Sequence, residues 1–127
     1  GGTFPTGKMM LAGFSLGAIT SLDTALMVVP QGENVGGVLF MNGAPICVEL
    51  WAKALAEHKG LRVHLTAGQA DQTLPSEAGG WVKQLLDANG AKAEMKLHPG
   101  GHEIGGADVV RGIAKFMRET YDAARKL

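Results

Sequence analysis

The segment of residues 13–17, with the sequence GFSLG, most strongly limits how this chain can fold. An apolar run over residues 8–12 precedes it, and a run with helical spacing follows it. Between a strand and a helix, the pattern Gly-x-Ser-x-Gly predicts a nucleophile elbow, a tight turn that exposes the serine hydroxyl at the end of the strand. We expect that a side chain at Gly13 or Gly17 would crowd this turn. Ser15 is therefore the candidate nucleophile.

Strands and helices are predicted to alternate along the chain. Because a helix and short connections separate consecutive strands, the pattern predicts an α/β fold in which helices flank a parallel sheet of about four strands. The first strand is apolar throughout, as expected of a buried central strand. The predicted strands are residues 9–13, 37–41, 62–67 and 92–97, and the predicted helices are residues 16–28, 48–58, 76–89 and 105–126, with Ser76 as the N-cap of the third helix.

Composition limits the classes of function. The 127 residues indicate a single domain, residues 1–127, with one core. Twelve basic and 12 acidic residues give a formal net charge of zero, which offers no electrostatic reason to expect a nucleic-acid partner. Cys47 is the only cysteine, so no intrachain disulfide can form. We see no signal-like segment and no apolar run near the roughly 18 residues of a membrane span, and we expect a cytoplasmic protein.

Two further reactive side chains follow later strands. Asp71 lies in the loop after the third predicted strand, and His102 lies in the loop after the fourth. The carboxyl ends of parallel strands meet at one edge of a sheet. A hydroxyl, a carboxylate and an imidazole are therefore predicted to converge there, in the chain order Ser, Asp, His.

This set of groups suits nucleophilic catalysis. A serine hydroxyl is a weak nucleophile unless a base within hydrogen-bond reach takes its proton, and His102 is the candidate base. Asp71 would hold the imidazole in the correct tautomer and stabilise its protonated form. The backbone N–H of Leu16, next to the candidate nucleophile, would donate to the oxyanion of the intermediate.

Other interpretations of these residues remain open. Asp71 lies in a segment between Gly68 and Pro75, where an aspartate more commonly stabilises a turn. His98 and His102 are four residues apart, but Pro99 and two glycines between them exclude the helix that a metal pair at this spacing needs.

Three helical residues have simple expected roles. Trp51 and Trp81 are expected to pack on the buried faces of their helices. Asp23 falls inside the first helix and is expected to be solvated.

With these residues in view, the chain resembles the α/β-hydrolase superfamily, and most closely the phospholipase/carboxylesterase group that includes acyl-protein thioesterases. Leu16 and Ala67 stand where that group often has glutamine and histidine, and Asn42 replaces the usual serine of a Ser-Gly loop. Four segments carry the resemblance: residues 11–18 at the elbow, 38–43 at the next strand, 68–75 at the acid, and 99–104 at the histidine.

The resemblance implies a serine hydrolase that acts on small-molecule carboxylic esters or thioesters through an acyl-enzyme, without a cofactor. It implies that Ser15, Asp71 and His102 form the catalytic triad, and it assigns Leu74 to substrate binding. The alternative is a catalytically silent, truncated hydrolase domain that acts in assembly or binding.

The resemblance also implies an incomplete sheet. Members of the group carry several strands before the elbow, whereas in this chain only seven residues precede the apolar run over residues 8–12. We therefore expect the C-terminal half of an α/β-hydrolase fold, without the loop that supplies the second oxyanion N–H. Residues 9–12 lack the charges or proline that protect an exposed edge. We expect a homodimer, or a complementing N-terminal fragment, to pair with the edge strand over residues 8–12.

Overall fold

The computed structural model describes residues 5–127. Strands and helices alternate throughout, and the predicted α/β fold is confirmed. Most element boundaries lie within one or two residues of the prediction, while α2 ends three residues early. The strands are β1 (Met10–Phe14), β2 (Gly37–Met41), β3 (Arg62–Gly68) and β4 (Lys92–His98), and the helices are α1 (Leu16–Met27), α2 (Val48–Leu55), α3 (Ser76–Ala88) and α4 (Ala107–Ala124).

The four strands form one sheet in the order β1-β2-β3-β4, and every neighbouring pair is parallel. Side chains of β3 alternate between the two faces of this sheet. Val63 and Leu65 join the core that α1, α2 and α3 cover, whereas His64 stacks on Phe116 of α4 on the opposite face. Because every strand runs in the same direction, the loops after β1, β3 and β4 all lie at one edge.

The two tryptophans differ in their surroundings. Trp51 is fully buried, and its indole N–H donates a hydrogen bond to a carboxylate oxygen of Asp23 at 2.9 Å. Asp23 is thus half-buried and hydrogen-bonded within the protein, so the expectation that it is solvated holds only in part. Trp81 is 59 % exposed, so its predicted packing was wrong. Small residues bring α3 close to the sheet, and its buried positions are Ala78, Gly79, Val82 and Leu86.

Two other expectations are corrected by the structure. Pro75, in an extended conformation, occupies the N-cap position of α3, so Ser76 is the first helical residue and not the cap. The strand β1 lies at the edge of the sheet, as the resemblance implied, but none of its residues is fully buried, so the expectation of a buried strand was wrong; residues 37–40 of β2 are all buried. An apolar run does not distinguish a strand that is paired on both sides from a strand at the edge of the sheet. Among residues 5–127, no helix is long and apolar enough to cross a membrane.

Candidate active site

Ser15 lies in a strained turn between β1 and α1. Its φ of 60° and ψ of −121° are unusual for a residue that carries a side chain. The backbone N–H of Ser15 donates to the carbonyl oxygen of Met41 at 2.8 Å, which ties the turn to the end of β2. Leu16 is the first residue of α1, where a backbone N–H has no acceptor within the helix. The turn thus presents a hydroxyl beside a free N–H.

The two glycines of the motif play different parts in this turn. A Cβ atom on Gly13 would overlap the backbone of Gly17 and approach the N atom of Ala18, so only glycine fits at position 13. At Gly17, no described atom outside its two chain neighbours and the adjacent backbone of α1 lies within 4 Å of an added Cβ. The expectation that a side chain at Gly17 would crowd the turn was therefore wrong. The turn is crowded only at Gly13, because a side chain there would meet the backbone of Gly17.

The structure brings the candidate hydroxyl, imidazole and carboxylate together. Nε2 of His102 lies 2.9 Å from Oγ of Ser15, and Nδ1 of His102 lies 2.7 Å from Oδ2 of Asp71. Both distances are within the normal range for hydrogen bonds. His102 lies 87 positions after Ser15 and 31 positions after Asp71, and it joins both in one continuous hydrogen-bonded path.

The carboxyl group of Asp71 is fully enclosed and well supplied with donors. Its side chain is 0 % exposed, and Oδ1 accepts backbone N–H groups from Thr73 at 2.8 Å and from Leu74 at 2.9 Å. Burial by itself raises the pKa of this carboxyl. The hydrogen bonds from His102, Leu74, Asn42 and Thr73 outweigh that effect and hold the pKa well below its usual range. Asp71 is therefore an ionised acceptor at neutral pH.

The ionised state of Asp71 determines the tautomer of His102. A carboxylate only accepts hydrogen bonds, so Nδ1 of His102 carries a proton and donates a hydrogen bond to Asp71. Nε2 of the neutral ring is then an acceptor, and it faces the hydroxyl of Ser15. This arrangement is suited to proton transfer from Ser15 to His102.

The histidine loop, residues 99–106, lies against the acid loop, residues 69–75. The backbone N–H of Gln69 donates to the carbonyl oxygen of His98 at 2.8 Å, and that of Ala70 donates to Gly100 at 2.9 Å. A Cβ atom on Gly68 would overlap the carbonyl oxygens of Gly100 and Gly101, so glycine is required at the end of β3. The contact between the two backbones sets the distance between the carboxylate and the imidazole.

The site lies on an open rim of the molecule. The ring of His102 packs on Phe14 with 4.8 Å between the ring centroids, and its side chain remains 24 % exposed. Leu16 is 72 % exposed beside the candidate nucleophile, while Leu74 is half-buried in the acid loop. A substrate can therefore approach Ser15 from solvent.

His98 plays no part in this hydrogen-bonded path. Its ring is buried, and Nδ1 accepts the backbone N–H of Gly100 at 3.1 Å, which shapes the start of the histidine loop. Within residues 5–127, no three histidine, cysteine or acidic side chains cluster as metal ligands would.

Asn42 is the residue of this site that sequence reasoning did not identify. Its side-chain amide donates to Oδ2 of Asp71 at 3.1 Å, beside the hydrogen bond from His102. The replacement of a serine by Asn42 in the resemblance was the only available signal. The contact spans 29 positions and depends on the pairing of β2 with β3, which no local pattern reveals.

Comparison with solved structures places this fold among α/β hydrolases. The chain superposes on Arabidopsis thaliana SOBER1 with a TM-score of 0.79 at 22 % identity, covering 93 % of this chain and 55 % of SOBER1. It superposes on esterase PE8 with a TM-score of 0.68 at 26 % identity, covering 87 % and 49 %. For Zea mays acyl-protein thioesterase 2 the TM-score is 0.66 at 19 % identity, covering 87 % and 55 %. The chain thus spans about half the length of these structures.

A comparison with families gives a more specific result. No curated protein matches the chain significantly. The family model described as phospholipase/carboxylesterase matches residues 2–121, nearly the whole chain. That range includes the elbow, the acid loop and the histidine loop. Because this model matches nearly the whole chain and the fold agrees with it, the chain belongs to the phospholipase/carboxylesterase family of α/β hydrolases.

Proposed function

We propose that this chain is a serine hydrolase that cleaves carboxylic esters or thioesters through an acyl-enzyme on Ser15. The observation that carries the proposal is the path from Ser15 Oγ to His102 Nε2, at 2.9 Å, and from His102 Nδ1 to Asp71 Oδ2, at 2.7 Å. Membership of the phospholipase/carboxylesterase family supports the same class of reaction.

The proposed reaction has two steps. In the first, Oγ of Ser15 bonds to the carbonyl carbon while Nε2 of His102 takes the hydroxyl proton. The bond to the leaving group then breaks, and His102 gives its proton to the departing alkoxide or thiolate. In the second step, water attacks the acyl carbon and gives a proton to His102; the bond between the acyl carbon and Oγ of Ser15 then breaks, and His102 returns the proton to Oγ as the carboxylic acid leaves. Asp71 stays ionised and stabilises the protonated imidazole.

The N–H of Leu16 is proposed to stabilise the negative charge that develops on the carbonyl oxygen. It lies at the start of α1, where the helix dipole also favours negative charge. Loss of one such donor typically lowers the rate about 10²- to 10³-fold. The rate of this chain therefore depends on whether a second donor joins Leu16.

A fluorophosphonate probe tests the proposal. We expect stoichiometric labelling, read as an intact-mass increase, which is absent in Ser15→Ala and strongly slowed in His102→Ala. Ser21→Ala, a matched change on α1 outside the hydrogen-bonded path, should label at the rate of the unmodified chain. Hydrolysis of a short-chain p-nitrophenyl ester should follow the same order among the variants. Labelling that persists in Ser15→Ala would contradict the proposed role of Ser15.

A second candidate is a catalytically silent domain that acts in assembly or binding. The half-exposed strand β1 at the sheet edge favours it, because no strand within residues 5–127 pairs with the outer side of β1, whose backbone groups can therefore pair with another chain. Absence of labelling in a chain with an intact circular dichroism spectrum would support this candidate over the hydrolase.

A further inference from the structure

Asn42 occupies a point where three parts of the site meet. It directly follows β2, and its neighbour Met41 accepts the backbone N–H of Ser15. Its own backbone N–H donates to the carbonyl oxygen of Thr66 on β3 at 2.9 Å. With only 1 % of its surface exposed and a φ of 52°, Asn42 is buried in the left-handed conformation. Asparagine and glycine adopt this conformation more readily than other residues.

The side-chain amide of Asn42 points at the acid. Nδ2 donates to Oδ2 of Asp71 at 3.1 Å and lies 3.4 Å from the carbonyl oxygen of Gly101 in the histidine loop. Both neighbours are acceptors, which fixes the orientation of the amide, because a flipped amide would aim its oxygen at two other oxygens. Oδ1 of Asn42 is buried without a hydrogen-bond partner among the described residues. The donors of this amide are satisfied, and its acceptor is not.

We infer that Asn42 is a positioning residue for the proposed hydrolysis, and the inference rests on that function. Oδ2 of Asp71 receives two donors, Nδ2 of Asn42 and Nδ1 of His102. The amide holds Oδ2 in the plane from which it orients the imidazole, so that Nε2 stays within reach of Ser15. By also contacting Gly101, Asn42 holds the acid loop and the histidine loop in one arrangement. It acts through Asp71 and does not touch the reacting atoms.

Asn42 combines two roles: its backbone adopts a positive φ, and its side chain donates to Asp71. Asn42→Gly separates these two roles. Glycine adopts a positive φ without strain, so Asn42→Gly allows the same backbone conformation and removes the side chain that carries the amide. If the residue serves only the backbone, the variant keeps full activity. If the amide positions Asp71, kcat for a short-chain ester falls about 10- to 100-fold while KM changes little, as expected for a small displacement of a catalytic group. Asn34→Ala is the matched control, because its amide donates to the backbone carbonyl oxygen of Lys59, outside both the acid loop and the histidine loop.

A second readout does not require activity. We expect the Nδ1 proton of His102, which lies in the 2.7 Å hydrogen bond to Asp71, to give a strongly deshielded resonance in proton NMR spectra. We expect this resonance to shift or broaden in Asn42→Gly and to stay unchanged in Asn34→Ala. If the unmodified chain neither labels with fluorophosphonate nor hydrolyses esters, the proposed function fails, while the resonance still decides whether Asn42 positions the pair.

An acidic variant keeps the inference testable if Asn42→Gly does not fold. Asn42→Asp retains the shape and tolerates the positive φ, but it replaces the donor with an acceptor beside Asp71. We expect a larger fall in kcat than in Asn42→Gly and the same change in the resonance. A folded variant of either kind with unchanged kcat and an unchanged resonance would overturn the inference.

Discussion

Gly68, at the end of β3, lies so close to Gly101 of the histidine loop that a Cβ atom on Gly68 would overlap the carbonyl oxygen of Gly101. The two backbones thus meet without an intervening side chain, one residue before His102. This contact determines how far the imidazole lies from the acid loop.

We expect Gly68→Ala to push the histidine loop away from β3. The free energy of unfolding should fall by about 1–3 kcal/mol, the usual cost of overpacking a buried site, and ester hydrolysis should fall with it. Thermal unfolding and the rate of fluorophosphonate labelling measure the two effects. The control is Gly80→Ala within α3, where no described atom outside the two chain neighbours and the adjacent helix backbone lies within 4 Å of an added Cβ. That change should raise stability by about 0.5–1 kcal/mol. Equal stabilities for the two variants would contradict the proposed contact.

A second prediction concerns strain at the elbow. Ser15 has a φ of 60° and a ψ of −121°, a conformation that glycine adopts easily and residues with a Cβ do not. Ser15→Ala removes the hydroxyl but keeps the Cβ, and Ser15→Gly removes both. We expect Ser15→Gly to be more stable than Ser15→Ala by about 1 kcal/mol or more, measured by urea unfolding. The opposite order would show that the turn is not strained.

The pH dependence of stability provides a third prediction. Hydrogen bonds hold the pKa of Asp71 below that of an aspartate in the unfolded chain, which is about 3.9. A group with a lowered folded pKa stabilises the fold above its unfolded pKa, and this contribution is lost as the pH falls further. The difference in melting temperature between the unmodified chain and Asp71→Asn should therefore shrink between about pH 5 and pH 3.

The exposed carboxylate of Asp122 provides the matched control for that experiment. Asp122→Asn accounts for the general effect of removing one acidic side chain. A difference between the unmodified chain and Asp71→Asn that stays constant or grows on acidification would contradict the lowered pKa.

Patterns within the sequence were sufficient to predict the four strands and four helices, because each element has its own periodicity and all but α4 end near a glycine or proline. The same patterns predicted which loops share an edge, since parallel strands leave little choice. They failed where two distant residues decide the outcome. The position of Asp23 within α1 predicted a solvated side chain, yet the indole N–H of Trp51 donates a hydrogen bond to its carboxylate.

The other errors have the same origin. Trp81 lies at a spacing compatible with burial, but Ala78 and Gly79 allow a different face of α3 to meet the sheet. The amide of Asn42 has no partner until β2 and β3 are paired. The partial exposure of β1 follows from its place at the edge of the sheet, and an apolar composition alone does not reveal that exposure.

The free edge of β1 provides the last prediction, and we propose that a second copy of the chain pairs with it. Met9 accepts the N–H of Gly36, and the N–H of Ser15 donates to Met41, so these groups face β2. Backbone groups alternate in direction along a strand, and the N–H and C=O of Met10, Ala12 and Phe14 therefore face the free edge. Met9, beside this edge, is 41 % exposed.

We expect the purified chain to sediment at micromolar concentration as a particle heavier than its own 13.2 kDa. The N–H of Ala12 faces the free edge, so Ala12→Pro removes no hydrogen bond from the ladder with β2. Proline is tolerated at edge positions of this kind. Because it removes an N–H from the free edge, Ala12→Pro should shift the particle to the mass of one chain, while Ala12→Ser, which keeps the N–H, should leave the mass unchanged. A chain that is monomeric without either change, and still unfolds cooperatively, would show that the edge needs no partner of this kind.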